Sequence, residues 1–189
     1  MHPIGILCHG FFQAYVLTDP DVRKSGSTTC EIVSWTLTLL VKKHNVDLTT
    51  SHVHLQLDNA SGENKNNTVF QFAAYLALRG LCASTSVGFL QSGHTHEDID
   101  MEHGAAARYL ARKLPVALTL DSFVGAMRSF LAQRQRANEK AFYAARLNVV
   151  HDWKSWLRHF AITLKGIAGP GAPHLFHFTR RAGWGWEQN

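Results

Sequence analysis

Residues 4–17, IGILCHGFFQAYVL, form two short apolar runs separated by His9 and Gly10. Runs of that length, broken by a glycine, read as strands over 4–8 and 11–17 that reverse in a hairpin. TDPDVRKSGSTT follows as a loop punctuated by Pro20 and Gly26. Residues 29–44 then read as a helix capped by Ser27 or Thr28, with Ile32, Trp35 or Thr36, Leu39 and Leu40 at helical spacing. Residues 52–57 alternate, placing Val53, Leu55 and Leu57 on one face of a strand and His54 and Gln56 on the other. The polar stretch DNASGENKNN leads into a helix over 66–79, striped by Val69, Phe72, Ala73 and Leu76 and stopped by Gly80.

The next strand is expected at 85–90. QSGHTH then turns into a helix over 97–113, limited by Pro115. A further helix starts with Asp121 as its cap and Phe123, Val124, Met127 and Leu131 inward, and the basic segment RQRANEKAFYAAR is available to extend it. HDWKSWLRHF is short and aromatic, and HLFHFTRRAGWGWEQN reads as a strand with a frayed end. The element order is β-β-α-β-α-β-α followed by a helical and aromatic extension. This order predicts an α/β fold, a ribonuclease-H-like mixed sheet flanked by helices and lacking its first strand. Residues 1–114 would be the partial core and 115–189 the C-terminal extension. The chain begins almost inside a strand, so the core is expected to be truncated at its N terminus.

Composition narrows the classes. At 189 residues, 46% apolar and 17% charged, the chain is globular rather than disordered, and one domain is the default. Nineteen Lys and Arg against fourteen Asp and Glu leave a net charge of +5, compatible with a polyanionic partner. Cys8, Cys30 and Cys82 are odd in number and form no CxxC pair, which fits a reducing intracellular setting and argues against a zinc ribbon. No apolar run reaches about 18 residues, so no membrane partner is expected. MHPIGILCHGFF lacks the basic segment and long apolar run of a signal peptide.

Candidate chemistry concentrates in two places. Asp58 directly follows an apolar strand, where the C-terminal ends of parallel strands open into a crevice. A carboxylate there suits Mg²⁺, which prefers oxygen donors. The plainer alternative is that Asp58 or Ser61 caps the next helix. In GHTHEDID, Glu97 and Asp100 are three apart and share a helix face. First-turn carboxylates also answer the helix dipole, so a purely structural role stays open there too. His94 and His96 are transition-metal donors, yet HExxH spacing is absent.

Together these motifs carry a resemblance. Asp58-Asn59, followed by Asn64-Lys65-Asn66, an apolar helix, and then Gly93-His94 with Asp100, resembles a transposon-derived family with an uncharacterised domain. That family is similar to DDE-type transposases and retroviral-integrase-like cores. CHGFFQAYVLTDPDV extends the likeness, which covers roughly residues 4–112. The resemblance implies Asp58 and Asp100 as catalytic, metal-holding carboxylates, with Glu97 as the alternate to Asp100. It also implies Mg²⁺ or Mn²⁺ as cofactor and DNA as partner, with nuclear localisation if the target is genomic. Lys65, His94, Arg128, Arg134 and Arg136 are the expected nucleic-acid contacts, with Arg79 beside them, and an ordinary solvated helix face is the equal alternative for the basic residues.

Two departures matter. Family members carry an acidic strand upstream of the hairpin, which this sequence starts too late to include, and MEHGAAARYL replaces an aromatic segment after Asp100. The expectation is therefore a mobile-element-derived domain whose ancestral reaction was metal-dependent phosphodiester cleavage and strand transfer, inactive as this chain. The rivals are a non-catalytic nucleic-acid-binding or interaction domain on the same scaffold, and a small metal hydrolase using His94 and His96.

Overall fold

A computed structural model describes residues 2–89, 98–113, 119–138, 141–160 and 174–180. The chain is mixed α/β, with two three-stranded sheets and five α-helices among these residues. It divides into two compact units, each drawn from two stretches of sequence. Met1–Arg23 and Gly93–Val150 form the first, and Lys24–Ser92 with His151–Asn189 the second.

In the first unit, β1 (His2–Cys8) and β2 (Phe12–Thr18) form the expected antiparallel hairpin, with Cys8 opposite Phe12. The Phe11 amide closes the turn on the Cys8 carbonyl at 3.0 Å, and Gly10 takes φ 81°, a left-handed conformation that favours glycine. β2 is buried along its whole length. Its Tyr15 and Leu17 pack with Ala106, Val124, Met127, Phe130 and Leu131. Those partners belong to the third and fourth helices in chain order, α3 (Asp98–Lys113) and α4 (Leu120–Asn138).

The basic segment after α4 departs from the sequence reading. The helix ends at Asn138, and Ala141–Leu147 forms a strand that pairs parallel to β2. Phe142 and Ala144 pack against the same core as Tyr15. A strand can place such residues on a neighbour only once that neighbour exists, so AFYAARL alone does not reveal it.

The second unit begins with α1 (Gly26–His44). Its cap is Ser25, whose hydroxyl accepts the Thr28 amide, and not Ser27 or Thr28 as expected. Ser25 has the extended backbone a cap needs, and Ser27 and Thr28 already lie inside the helix. The buried stripe is Cys30, Val33, Leu37 and Leu40 together with Ile32, turned partly away from the expected one. Apolar residues occur on several sides of this helix, and packing selects among them.

β3 (His52–Leu57), α2 (Asn67–Leu78) and β4 (Ser84–Phe89) form a parallel crossover. The strand Leu175–Thr179 pairs antiparallel to β4, giving the order β3, β4, then this last strand. Numbering in chain order makes Ala141–Leu147 β5 and Leu175–Thr179 β6, with the short helix Trp153–Leu157 as α5. Phe70, Ala73, Val87 and Phe89 form the core beneath the sheet, supported by Leu55, Leu57, Phe176 and Phe178. The sheets run β1–β2–β5 and β3–β4–β6, so β1 and β3 are both edge strands. No described helix is long and apolar enough to cross a membrane.

Candidate functional site

The loop after β3 is organised around Asp58. Its Oδ1 accepts the Ala60 amide at 2.9 Å and the Asn64 side-chain amide at 2.7 Å. Asn64 Oδ1 in turn accepts the Thr29 hydroxyl of α1 at 2.8 Å. The Ala60 carbonyl gathers the amides of Glu63, Asn64 and Lys65, tightening the loop into a single turn. Asn66 caps α2 by accepting the Val69 amide at 3.2 Å. Asp58 and Ser61 therefore do not cap that helix. The sequence motif folds its own loop, with Asp58, Asn64 and Asn66 each taking a hydrogen-bonding task in it.

One glycine secures this arrangement from α1. A Cβ on Gly26 would stand 2.5 Å from Asn66 Oδ1 and 3.0 Å from Thr68 Cβ. Only a residue without Cβ lets the start of α1 approach the cap of α2 this closely. Lys24 and Glu63 add an ion pair at 3.7 Å across the same junction.

Asp58 is exposed, and its Oδ2 accepts no hydrogen bond among the described residues. Lys65 lies close by in sequence, only 7% exposed, with its ammonium 5.2 Å from the Phe89 ring centroid. A lysine held over an aromatic face keeps its charge partly desolvated while its stem packs as a hydrocarbon. No described carboxylate pairs with it.

The other expected site residues are distributed differently. Asp100 is the third residue of α3 and belongs to the first unit, whereas Asp58 and Lys65 belong to the second. Glu97, His94 and His96 lie outside the described residues. Arg128 is exposed on α4, Arg134 is half-buried there, and Arg136 lies in the same helix with its side chain outside the description. Arg79 is exposed at the C-cap of α2.

The metal expectation can be set against the donors present. Asp58 supplies a hard oxygen, but the described residues contain no group of three or more His, Cys, Asp or Glu that could hold an ion. By themselves they do not make a two-metal centre, and no reaction step is assigned to one.

Three arrangements escaped the sequence reading. Asp19, just past β2, receives two hydrogen bonds from Arg146 of β5, at 2.7 and 2.8 Å, and Asp121 lies 3.7 Å from the same guanidinium. The Arg146 bond and charge hold the Asp19 carboxyl below its ordinary range. Glu31 Oε2 accepts the His151 amide and ring Nδ1 and the Trp153 indole N–H, tying α5 to α1.

The third is a chain of side chains on the polar face of the second sheet. Ser84 Oγ meets His52 Nδ1 at 2.6 Å, and His52 Nε2 meets Ser86 Oγ at 3.0 Å. Ser86 Oγ then meets His54 Nδ1 at 2.6 Å, and His54 Nε2 meets Gln56 Oε1 at 3.3 Å. With the Gln56 amide oxygen as acceptor, His54 Nε2 is the donor of that bond. His177 of β6 stacks beside His52 with ring centroids 5.2 Å apart. The alternation in HVHLQL placed His54 and Gln56 away from the core, but only strand register brings them to Ser84 and Ser86.

Two small mixed sheets with the Asp58 loop inside a parallel crossover thus define a mixed α/β protein with an exposed candidate carboxylate. The chain belongs to the family described as a domain of unknown function, DUF7869, whose model matches residues 1–184. No curated protein and no solved structure matches it significantly.

Proposed function

We propose that this chain is a transposase/integrase-like domain of mobile-element descent on a ribonuclease-H-like scaffold, and that alone it does not cut DNA. One observation carries the reading: the way the strands divide between sheets. An antiparallel hairpin ends in the edge strand β1, and a parallel crossover ends in the edge strand β3. A ribonuclease-H-like sheet combines such a hairpin with such a crossover, and its first catalytic carboxylate comes from a further strand. Asp58 stands at the end of β3, where such a fold opens its crevice.

On this reading Asp58 and Asp100 would be the inherited residues that hold Mg²⁺ or Mn²⁺, an ion that would supply Lewis-acid chemistry to phosphodiester cleavage when bound. DNA is the partner, with Arg128, Arg134 and Arg136 as the proposed phosphate contacts and Lys65, buried over Phe89, as a cation beside the Asp58 loop. The nucleus is the site of action if the DNA is genomic. The test is nicking of supercoiled plasmid by the purified chain in Mg²⁺ or Mn²⁺. No nicking is expected, and robust nicking that disappears in Asp58→Ala would overturn the inactivity. A crystal structure placing the Asp58 and Asp100 carboxylates too far apart to share ions about 4 Å from one another would overturn the scaffold assignment.

A second reading is favoured by the use already made of Asp58. Its Oδ1 holds Ala60 and Asn64, a role sufficient to explain the motif without catalysis. The domain would then bind nucleic acid through its basic surplus only. Duplex binding whose salt dependence is unchanged in Asp58→Ala and Asp100→Ala supports this reading, because neither carboxylate would contribute.

A further inference from the structure

The aromatic segment that follows β5 does more than pack. α5 is anchored on its inner side by Leu157, which is fully buried, and by Trp153, whose ring meets Phe72 at 5.0 Å and whose indole N–H reaches Glu31. Those contacts suffice to dock a helix of five residues. Trp156 is different. It lies 4.8 Å from the Tyr75 ring and 5.8 Å from that of Phe160, yet remains 47% exposed. Tyr75 also contacts Phe160, at 5.1 Å. Trp153 also meets Trp156 edge-on at 5.5 Å, so four rings are fixed by edge-to-face and tilted contacts, with Trp156 half open to solvent.

The charges around that cluster are mostly basic. Lys154 and Arg158 flank Trp156 at two residues on either side, and both are exposed. Arg79, also exposed, follows Tyr75 by four residues on α2 and so shares its helix face. The carboxylates of this region are engaged. Asp152 caps α5 through the Ser155 amide, and Glu31 is taken up by His151 and Trp153. A rigid indole rimmed by cations, with its neighbouring acids occupied, matches what an unpaired base and its flanking phosphates require.

We infer that Trp156, with Lys154, Arg158 and Arg79, forms a base-stacking site for single-stranded nucleic acid. This rests on the nucleic-acid-binding character proposed above but assigns it a different place from the Asp58 loop and a different strand state from the duplex. Every base has a π face, so the site reads no sequence. The phosphates supply its salt dependence.

The experiment uses the full chain and a fluorescein-labelled twelve-residue oligo(dT), with the corresponding duplex and poly-glutamate as comparison ligands. Anisotropy is expected to show binding of the single strand, weakened roughly 5- to 150-fold in Trp156→Ala, the range that the loss of one stacked base produces. Trp156→Phe keeps a π face and should retain most of the affinity. Lys154→Ala should reduce the salt slope by roughly 0.7 for the lost phosphate contact. Circular dichroism confirms that each variant is folded, and Lys154→Ala, at an exposed position, carries the test if Trp156→Ala does not fold. Wild-type affinity for oligo(dT) in Trp156→Ala, or displacement of oligo(dT) by poly-glutamate through Trp156, overturns the inference and in the second case identifies an acidic polypeptide as the occupant. Duplex binding without single-strand binding removes the inference and leaves the proposed function standing. Binding to neither removes both.

Discussion

Asp19 and Asp58 look alike in the sequence: each is an aspartate just past an apolar strand. In the structure they do opposite things. Asp19 is clamped by both arms of the Arg146 guanidinium, and the pair joins the ends of β2 and β5. Asp58 bends its own loop with one oxygen and presents the other outward. A carboxylate facing a fixed arginine is committed to structure, whereas one bonded only to amides on one side keeps coordination capacity. The difference lies in the partner, and the partner of Asp19 is 127 residues away.

The comparison can be broken in several ways, from larger effects to smaller. Gly26→Ala drives a methyl into the Asn66 cap and is expected to cost about 1–3 kcal/mol, as overpacking at a rigid junction does. Urea unfolding would show it, and wild-type stability would mean that α1 yields without disturbing the Asp58 loop. Asp58→Ala should cost about 1–2 kcal/mol by leaving Ala60 and Asn64 without their acceptor. Asp58→Asn keeps Oδ1 and should recover most of that stability while losing the charge. Equal losses in the two variants would show that the charge, and not the acceptor geometry, holds the loop.

Asp19→Asn is expected to have a smaller effect at neutral pH, because the Arg146 side chain is 45% exposed and water replaces part of what is lost. Its diagnostic is pH. The folded Asp19 carboxyl titrates below its ordinary 3.8, so its contribution is present above that value and is lost as pH falls through the folded value. Acid unfolding below pH 4 should therefore be less steep in Asp19→Asn, and an unchanged acid limb would mean that the pair contributes nothing to stability.

His52 of β3 responds in a higher window. Burial, then the neighbouring charges of His177 and His54, hold the His52 imidazole below its ordinary 6.5. A base with a lowered folded value binds protons more readily when unfolded. Stability is then unaffected well above pH 6.5 and declines as pH falls from there towards the folded value. His52→Gln should flatten that decline, which a series of thermal melts from pH 7.5 to about 5.5 would detect. A decline identical to wild type would place its origin elsewhere.

Much of the architecture was legible because its signals are local. The hairpin follows from two apolar runs around Gly10, and the crossover from the alternation of β3, the stripe of α2 and the stop at Gly80. β5 was not legible, since AFYAARL lacks a one-sided apolar pattern and becomes a strand only beside β2. The α1 cap was misplaced by two or three residues because SGSTT offers several hydroxyls, and the backbone geometry at Ser25 decides among them. Of the expected site, the sequence located Asp58, Lys65 and Asn66 as a unit but not their tasks. Asn66 turned out to be the helix cap, and Lys65 a buried cation over Phe89.

Periodicity and turn chemistry in the sequence alone determine that this chain makes a hairpin, a parallel crossover and an acidic, asparagine-rich loop between β3 and α2. Those are short-range properties, set by side-chain volume and backbone freedom within a few residues. Tertiary structure alone decided that Arg146 meets Asp19, that Ser86 joins two imidazoles, and that Trp156 stays half open beside Tyr75 while Trp153 does not. Each depends on strand register or helix docking, which bring together residues between 32 and 127 positions apart, and no local pattern encodes a distant partner.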